Sequence, residues 1–397
     1  MQTALAEFIR DTPEGREADA VLRKCVHCGF CNATCPTYQL LGDELDGPRG
    51  RIYLMKQVLE GAVPTQKTRL HLDRCLTCRA CETTCPSGVE YGRLVDIGRA
   101  LVEQRVPRGL WDTVKMRVLG AVLPNTGLFS FLLGLGRLFR PILPASLKEK
   151  INPRNEAGPW PQTRHARKML VLAGCVQPAL APGINAAAAR VLDRAGISLV
   201  EAPGAGCCGA VRFHLNDQSG GRDDMRALID AWWPAVERGD VEAIVMTASG
   251  CGSFVKEYAH HLQGDPGYRE KAARISALTR DLSEVVSENP ISTKKQFLRV
   301  AFQSPCSLQH AQQLGGKVEA LLQAAGHQLV PVADGHLCCG SSGTYSILQP
   351  ELSARLRENK LAALGAPDVI ATANIGCLSH LQSGTRTPVK HWIELLE

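Results

Sequence analysis

The chain has 397 residues, enough for two or three domains with sizeable cores. Its 45 Lys and Arg against 39 Asp and Glu leave a charge of only +6 with no basic block, which argues against a dedicated nucleic-acid binder. Apolar residues make up 45% and charged residues 21%, values of an ordinary globular protein that leave no room for long disorder, so the outlier is the 16 cysteines.

The amino-terminal segment MQTALAEFIRDTPEGREADA is charged and lacks the apolar core of a secretory signal. A cytoplasmic, reducing location is expected, and there metal ligation is a better reading of many cysteines than disulfides. Eight cysteines lie between Cys25 and Cys85 and eight between Cys175 and Cys377, and the empty stretch between the groups suggests a domain boundary.

The first eight form two matching runs, Cys25-x2-Cys28-x2-Cys31-x3-Cys35-Pro36 and Cys75-x2-Cys78-x2-Cys81-x3-Cys85-Pro86. This is the bacterial ferredoxin spacing for two [4Fe–4S] clusters, in which the fourth cysteine of each run ligates the other cluster. One cluster is therefore assigned to Cys25, Cys28, Cys31 and Cys85, and the second to Cys75, Cys78, Cys81 and Cys35. Zinc is the alternative, but zinc sites favour two separated Cys-x2-Cys pairs over unbroken runs of four. Between the runs, Ile52, Met55, Val58 and Leu59 fall at helical spacing, and residues 91–104 repeat that pattern, so the expected domain is helical. Arg49 and Arg51 sit in a Gly-Pro-Arg-Gly-Arg stretch that either faces a cluster or partner or caps a helix.

Residues 118–136 carry no charge and approach the length of a membrane span, but Pro124, Asn125, Thr126 and Gly127 interrupt them. Beyond the break Leu128, Phe131, Leu132, Leu135, Leu138 and Phe139 form an apolar stripe, with Arg137 and Arg140 placed to reach interfacial water. Peripheral contact with a membrane through residues 118–140 is one reading. Packing against the chain's own core or a partner subunit is the other, and a true span is not expected. Residues 151–162 have the Pro, Gly and Asn content of a linker.

The second half is a duplication. An apolar strand leads to Cys175, Cys207-Cys208-Gly209 follows 32 positions later, and Cys251 closes the first copy. In the second copy Cys306 precedes Cys338-Cys339-Gly340 by the same 32 positions, and Cys377 closes it. Each copy reads as three strands alternating with helices, at 169–173, 197–201 and 243–247 in the first, with each cysteine just after a strand. In a parallel sheet those carboxyl ends share one edge, so three loops can bring four thiols to one point. Cys175, Cys207, Cys208 and Cys251, and likewise Cys306, Cys338, Cys339 and Cys377, are candidates for an additional iron–sulfur cluster or zinc. Gly209 and Gly340 would let backbone amides donate to sulfur. The bland alternative is a pair of α/β folds with small buried cysteines. His310, His336 and His380 crowd the second set in sequence and are candidates to ligate or tune it, His214 being a weaker counterpart; surface or hydrogen-bonding roles are the ordinary alternative. The string Gly204-Ala205-Gly206-Cys207-Cys208-Gly209 satisfies a dinucleotide fingerprint, with Asp223 and Asp224 further on. The second copy keeps only Cys-Cys-Gly, so no flavin or NAD site is expected on this chain.

These motifs resemble those of the iron–sulfur subunits of membrane-associated flavin dehydrogenases and of the heterodisulfide-reductase group. The longer strings, from Cys25 to Cys31, from Thr37 to Leu54, and around Thr247, His336 and Thr372, resemble most closely the iron–sulfur subunits of bacterial glycolate oxidase (glycolate dehydrogenase). The resemblance implies an α+β multidomain chain: an alpha-helical two-cluster ferredoxin domain over residues 1–110, an apolar helical segment and linker over 111–165, and two α/β CCG domains over 166–290 and 291–397. It also implies that FAD-containing partner subunits oxidise glycolate to glyoxylate while this subunit passes electrons toward the quinone pool, on the cytoplasmic face of the membrane. An anaerobic glycerol-3-phosphate or D-lactate dehydrogenase subunit is the nearest alternative. The third reading is a CCG module that itself reduces a disulfide at an open iron. Heterodisulfide-reductase motifs close with Cys-x-x-Cys, whereas Phe254 and His380 stand at those positions here, so a five-cysteine cluster is not expected in either copy.

Overall fold

Two regions distant in sequence, Met1–Met116 and His336–Lys360, form the first of two compact units in the computed structural model, which describes residues 1–140, 156–291 and 297–397. The second unit comprises the described residues of Arg117–Gly335 and Leu361–Glu397. Part of the expected linker, residues 151–155, lies outside the described residues.

The first unit is helical up to residue 116. Helix Pro13–Lys24 starts with Thr12 accepting from the Gly15 amide and Pro13 in the first turn, and it stops at Cys25, where the chain turns extended. Helix Pro48–Leu59 buries Ile52, Met55, Val58 and Leu59, the four positions its spacing singled out, and Tyr91–Arg105 packs Leu94, Val95 and Val102 into the same core. Arg51 is buried on the first of these helices, and the Gly-Pro-Arg-Gly-Arg stretch is the start of that helix.

The two cysteine runs share one backbone path. His27 and Gly29 flank Cys28 with φ of 59° and 89°, and Thr77 and Arg79 flank Cys78 with φ of 51° and 60°. Left-handed backbone at non-glycine residues persists only where the surroundings enforce it, and it recurs here at matched positions of both runs. A one-turn helix follows each, Phe30–Ala33 and Ala80–Thr84.

The second unit holds two four-stranded parallel sheets of the same order. The strands β1 (Arg167–Val171), β2 (Ile197–Val200), β3 (Ile244–Met246) and β4 (Thr279–Asp281) are arranged β2-β1-β3-β4. The repeat gives β5 (Arg299–Gln303), β6 (Gln328–Leu329), β7 (Val369–Thr372) and β8 (Val389–His391) in the order β6-β5-β7-β8. Leu170 lies opposite Val200 and Ile244, and Val300 opposite Leu329 and Val369, so the central strands β1 and β5 take equivalent registers. Val171, Ile184, Leu192, Val245, Val300, Phe302, Leu322 and Ala371 belong to one core that serves both sheets.

The fourth strand of each sheet departs from the three-strand expectation. Each is three residues long with only its middle residue exposed, and each runs into a helix through a capping box: Asp281 with Glu284, and His391 with Glu394. The apolar stripe on helix Thr126–Phe139 also departs from the reading that the chain's own core covers it. No residue of this helix is buried, and Phe131 and Leu138 are 64% and 71% exposed. Arg137, expected to reach interfacial water, donates Nη2 to the Ala179 carbonyl at 2.9 Å. No single described helix is long and apolar enough to cross a membrane; Leu110–Val122 and Thr126–Phe139 meet that criterion only jointly, across a 107° bend.

Candidate metal centres

Cys25, Cys28, Cys31 and Cys85 line one cavity, and Cys35, Cys75, Cys78 and Cys81 line a second, with Cys81 bordering both. Burial pushes the Cys31 thiol up to about 11, and Cys25, Cys85 and Cys28 add to the rise. Burial likewise lifts Cys81 well above the ordinary thiol range, followed by Cys78, Cys75 and Cys35. Each run's first three thiols are thus gathered with the fourth thiol of the other run. Crowded thiols of raised pKa suit a cationic core, which replaces their protons and makes four thiolates tolerable in a dry site. Four sulfur donors around each cavity therefore fit a [4Fe–4S] cluster.

The two cavities differ in their surroundings. Cys28 of the first is exposed, whereas buried Arg51 walls the second; buried Tyr91 borders both. Arg51 donates Nε to the His71 carbonyl at 2.7 Å and Nη1 to Thr37 at 3.2 Å, and Nη1 lies 4.0 Å from Cys35 Sγ. Its partner Asp46, fully buried, stands 3.4 Å away and is also held by Arg74 at 2.8 Å and His71 at 3.1 Å. Burial disfavours the Arg51 charge, but Cys75, Tyr91, Cys35 and Asp46 more than offset it and hold the guanidinium protonated. The Tyr91 hydroxyl donates to Cys75 Sγ at 3.6 Å, and the Thr77 amide donates to the same sulfur at 3.4 Å. Arg49, by contrast, pairs with Glu44 at 2.6 Å on the half-exposed side of the same helix.

In the second unit the carboxyl ends of β1, β2 and β3 bring together the four thiols of the first repeat. Cys207 is linked by hydrogen bonds to Cys175 and Cys208, and Cys208 in turn to Cys251. The Cys175 and Cys208 thiols hold Cys207 far below the ordinary thiol range, against its burial, with help from the Gly209 amide at 3.4 Å and from Arg212. Cys175 and Cys208 are driven up by the same hydrogen bonds and by burial. A thiolate at Cys207 hydrogen-bonded to the Cys175 and Cys208 thiols is a donor set that a metal ion would complete by displacing protons.

A model of the 4Fe-4S dicluster domain matches residues 21–89, and a model of the cysteine-rich domain matches residues 169–256 and 300–382. The glycolate oxidase iron-sulfur subunit of Escherichia coli is 55% identical over 404 aligned positions, covering the whole of this chain and 98% of that protein. The chain belongs to the family of glycolate oxidase iron–sulfur subunits. A probable glycolate oxidase iron-sulfur subunit of Bacillus subtilis is 30% identical over 93% of this chain and 90% of its own length. Lactate utilization protein A of Geobacillus thermodenitrificans is 24% identical over 54% of this chain and 90% of its own length.

Within this glycolate oxidase iron–sulfur chain, both Cys-Cys-Gly turns are built alike. The Gly209 and Gly340 amides donate to Cys207 and Cys338 Sγ, each at 3.4 Å, with φ of 87° and 84°. A Cβ at either glycine would stand 2.5 Å from a carbonyl oxygen, that of Gly221 or Ser353, so only glycine fits. The remaining candidates divide between the units. Cys338, Cys339 and His336 belong to the first, while Cys306 precedes the π-helical turn Ser307–Ala311 that carries His310 in the second, and Cys377 and His380 lie on helix Ile375–Gln382 there. His214 packs edge-on against Phe213 and Phe254.

Several residues around the thiols carried little sequence signal. Asp224, noted only as part of a dinucleotide decoy, pairs with Arg212 at 3.2 Å and is pushed up to about 6 by burial and then by the Cys207 thiolate. Tyr258 donates its buried hydroxyl to the Cys208 carbonyl at 2.6 Å. The decoy itself runs into a helix of only five residues, Ala210–His214. Asp46, His71 and Tyr91 are scattered over forty-five positions, and only the fold collects them.

Proposed function

We propose that this chain conducts electrons within a glycolate-oxidising complex: partner subunits carrying FAD oxidise glycolate to glyoxylate, and the chain relays the electrons toward the quinone pool. The observation that carries the reading is the pair of adjoining four-thiol cavities, the first bordered by exposed Cys28 and the second by half-exposed Cys78. Cys25, Cys28, Cys31 and Cys85 would hold one [4Fe–4S] cluster, and Cys75, Cys78, Cys81 and Cys35 the other. Bound there, each cluster accepts and releases one electron. The chain's own residues do the rest. Ile52, Val89 and Tyr91 line the first cavity with apolar surface that excludes water, exposed Cys28 marks the side where an external donor approaches, and Arg51 keeps a positive charge beside the second.

We also assign Cys175, Cys207, Cys208 and Cys251 to a further metal, a cluster or zinc, and extend that to Cys306, Cys338, Cys339 and Cys377 on the sequence correspondence of the repeats. His310, His336 and His380 are tuning residues in this reading. Lactate utilization relatives match half of the chain, which favours D-lactate as the second substrate to try. The test is anaerobic purification of the chain with its flavin subunits, followed by iron counting and EPR. Glycolate is expected to produce reduced-cluster signals, with about eight irons for the ferredoxin set alone and about twelve or more if the repeats are filled. Signals that appear with D-lactate or glycerol 3-phosphate but not with glycolate would reassign the complex, and a colourless, EPR-silent chain would end the relay reading.

Bilayer contact through residues 118–140 completes the proposal. Helix Thr126–Phe139 exposes Phe131, Leu132, Leu135 and Leu138 and contains no acidic residue, a face suited to the headgroup region of anionic lipid. The holo-complex is expected to float with vesicles containing anionic lipid, and Phe131→Glu with Leu138→Glu to stay at the bottom of the gradient with its cluster signals intact. Equal flotation of the double variant would move the contact elsewhere.

A further inference from the structure

We propose that the second repeat supplies a positioning residue to the ferredoxin unit: Tyr345 donates its hydroxyl hydrogen to the sulfur framework of the centre formed by Cys35, Cys75, Cys78 and Cys81, raising the reduction potential of that centre above that of its neighbour. This rests on the two-cluster reading above.

The segment His336–Lys360 belongs by sequence to the second cysteine-rich repeat but by packing to the unit of the ferredoxin cysteines. Its fastening is specific. Ser342 donates Oγ to the Leu76 carbonyl, inside the second cysteine run, at 2.6 Å, and Arg355 donates to the Leu40 carbonyl at 3.1 Å. Ser342 has φ of 34°, a conformation that a non-glycine residue keeps only when its contacts enforce it. The first repeat shows what the turn does without such contacts: after Gly209 the chain runs directly into helix Ala210–His214. After Gly340 it detours through Ser342 and Gly343, both left-handed, and resumes as helix Tyr345–Leu348. The detour falls where the loop meets Leu76, and it delivers Tyr345.

Tyr345 is 6% exposed, and its hydroxyl is buried without a hydrogen-bond partner. Burial raises its pKa, and the neighbours that act on it are Cys75 and Arg51 from the wall of the second cavity, Cys338 of the repeat, and Asp46, the partner of Arg51. A buried phenol left unpaired is costly, so an acceptor is expected, and sulfur held by Cys75 and its companions is the acceptor chemistry at hand. Hydrogen bonds to cluster sulfur favour the more negative, reduced state and so raise the potential.

The test is an EPR-monitored redox titration of the holo-chain as wild type and as Tyr345→Phe, with proton ENDOR before and after exchange into heavy water. Tyr345→Phe is expected to lower the reduced-to-oxidised ratio of the second centre about fivefold at a fixed potential, the worth of one hydrogen bond. That is roughly 40 mV for a one-electron couple. The other centre should not move, and one exchangeable proton coupling should vanish. If Tyr345→Phe fails to assemble, Ser342→Ala keeps the phenol but frees its loop from Leu76, and it should move the same midpoint in the same direction. Two intact signals with unmoved midpoints and unchanged couplings would overturn this proposal alone, whereas a wild-type chain without cluster signals would overturn the two-cluster reading.

Discussion

Cys35→Ala is expected to abolish the cluster whose other three ligands begin forty positions downstream, and Cys85→Ala the cluster whose other ligands begin sixty positions upstream, each variant keeping about four of about eight irons. After Cys31 and Cys81 the chain turns through the short helices Phe30–Ala33 and Ala80–Thr84, and these helices pack against each other. Thr34 Oγ1 lies 3.3 Å from the Ala80 carbonyl and 3.2 Å from Thr84 Oγ1, so the end of each run is pinned to the other. Cys35 thereby faces Cys75, Cys78 and Cys81, and Cys85 faces Cys25, Cys28 and Cys31. Iron counts alone do not distinguish crossed from uncrossed ligation, but the surviving centre does. Crossed ligation leaves Cys35→Ala with the centre near exposed Cys28; Tyr91 borders that cavity too, but its hydroxyl goes to Cys75, so Tyr91→Phe should shift this midpoint little. Uncrossed ligation would leave it with the centre at Cys75, which Tyr91 contacts at 3.6 Å, and a midpoint that moves with Tyr91→Phe would establish that alternative.

What the sequence reveals of this molecule follows the range of each interaction. Cysteine spacing is local, and the geometry it demands, left-handed backbone on both sides of Cys28 and Cys78, is present in both runs. Helical periodicity found Ile52, Met55, Val58 and Leu59 because those residues share a face, and strand character found β1, β2 and β3 because parallel strands are apolar throughout. The same logic missed β4 and β8, whose three residues include Arg280 and Lys390 and are too short to show a period. It also misread helix Thr126–Phe139. Periodicity reports that one face avoids water, not what covers that face, and among the described residues no part of this helix is buried. The Arg51–Asp46–His71 cluster was half legible, since the arginine stood out beside Pro48 while its partners lie at unremarkable positions in the 3-10 turn Glu44–Asp46 and in helix Gln66–Asp73. Least legible was the packing of His336–Lys360 with the ferredoxin cysteines, because nothing periodic distinguishes a loop that serves its own repeat from one that leaves it. The one local hint is the replacement of Val211 and Arg212 of the first repeat by Ser342 and Gly343.

Arg51→Met is expected both to destabilise the ferredoxin unit and to lower the potential of the second centre, and Arg51→Lys to separate the two effects. Arg51 and Asp46 are 1% and 0% exposed, so removing the guanidinium strands a buried carboxylate, a loss of about 3–5 kcal/mol for a buried pair. Arg74 and His71 continue to serve Asp46, which places the cost near the lower end, at about 3 kcal/mol. The electrostatic effect has its own sign. Reduction adds negative charge beside Cys35 and Cys75, a nearby cation favours it, and its removal lowers the potential. At an effective dielectric of about 20 and roughly 8 Å, one charge contributes about 2 kcal/mol. For a one-electron couple that is on the order of 90 mV. Lysine keeps the charge but cannot fork to Thr37, the His71 carbonyl and Asp46 at once. Arg51→Lys should therefore show faster anaerobic thermal loss of the cluster signals with a midpoint close to wild type, and Arg51→Met should show both defects. A midpoint unmoved in Arg51→Met, with both signals present, would reduce Arg51 to a scaffold that holds the 3-10 turn at Asp46 and contributes nothing to the direction of electron flow.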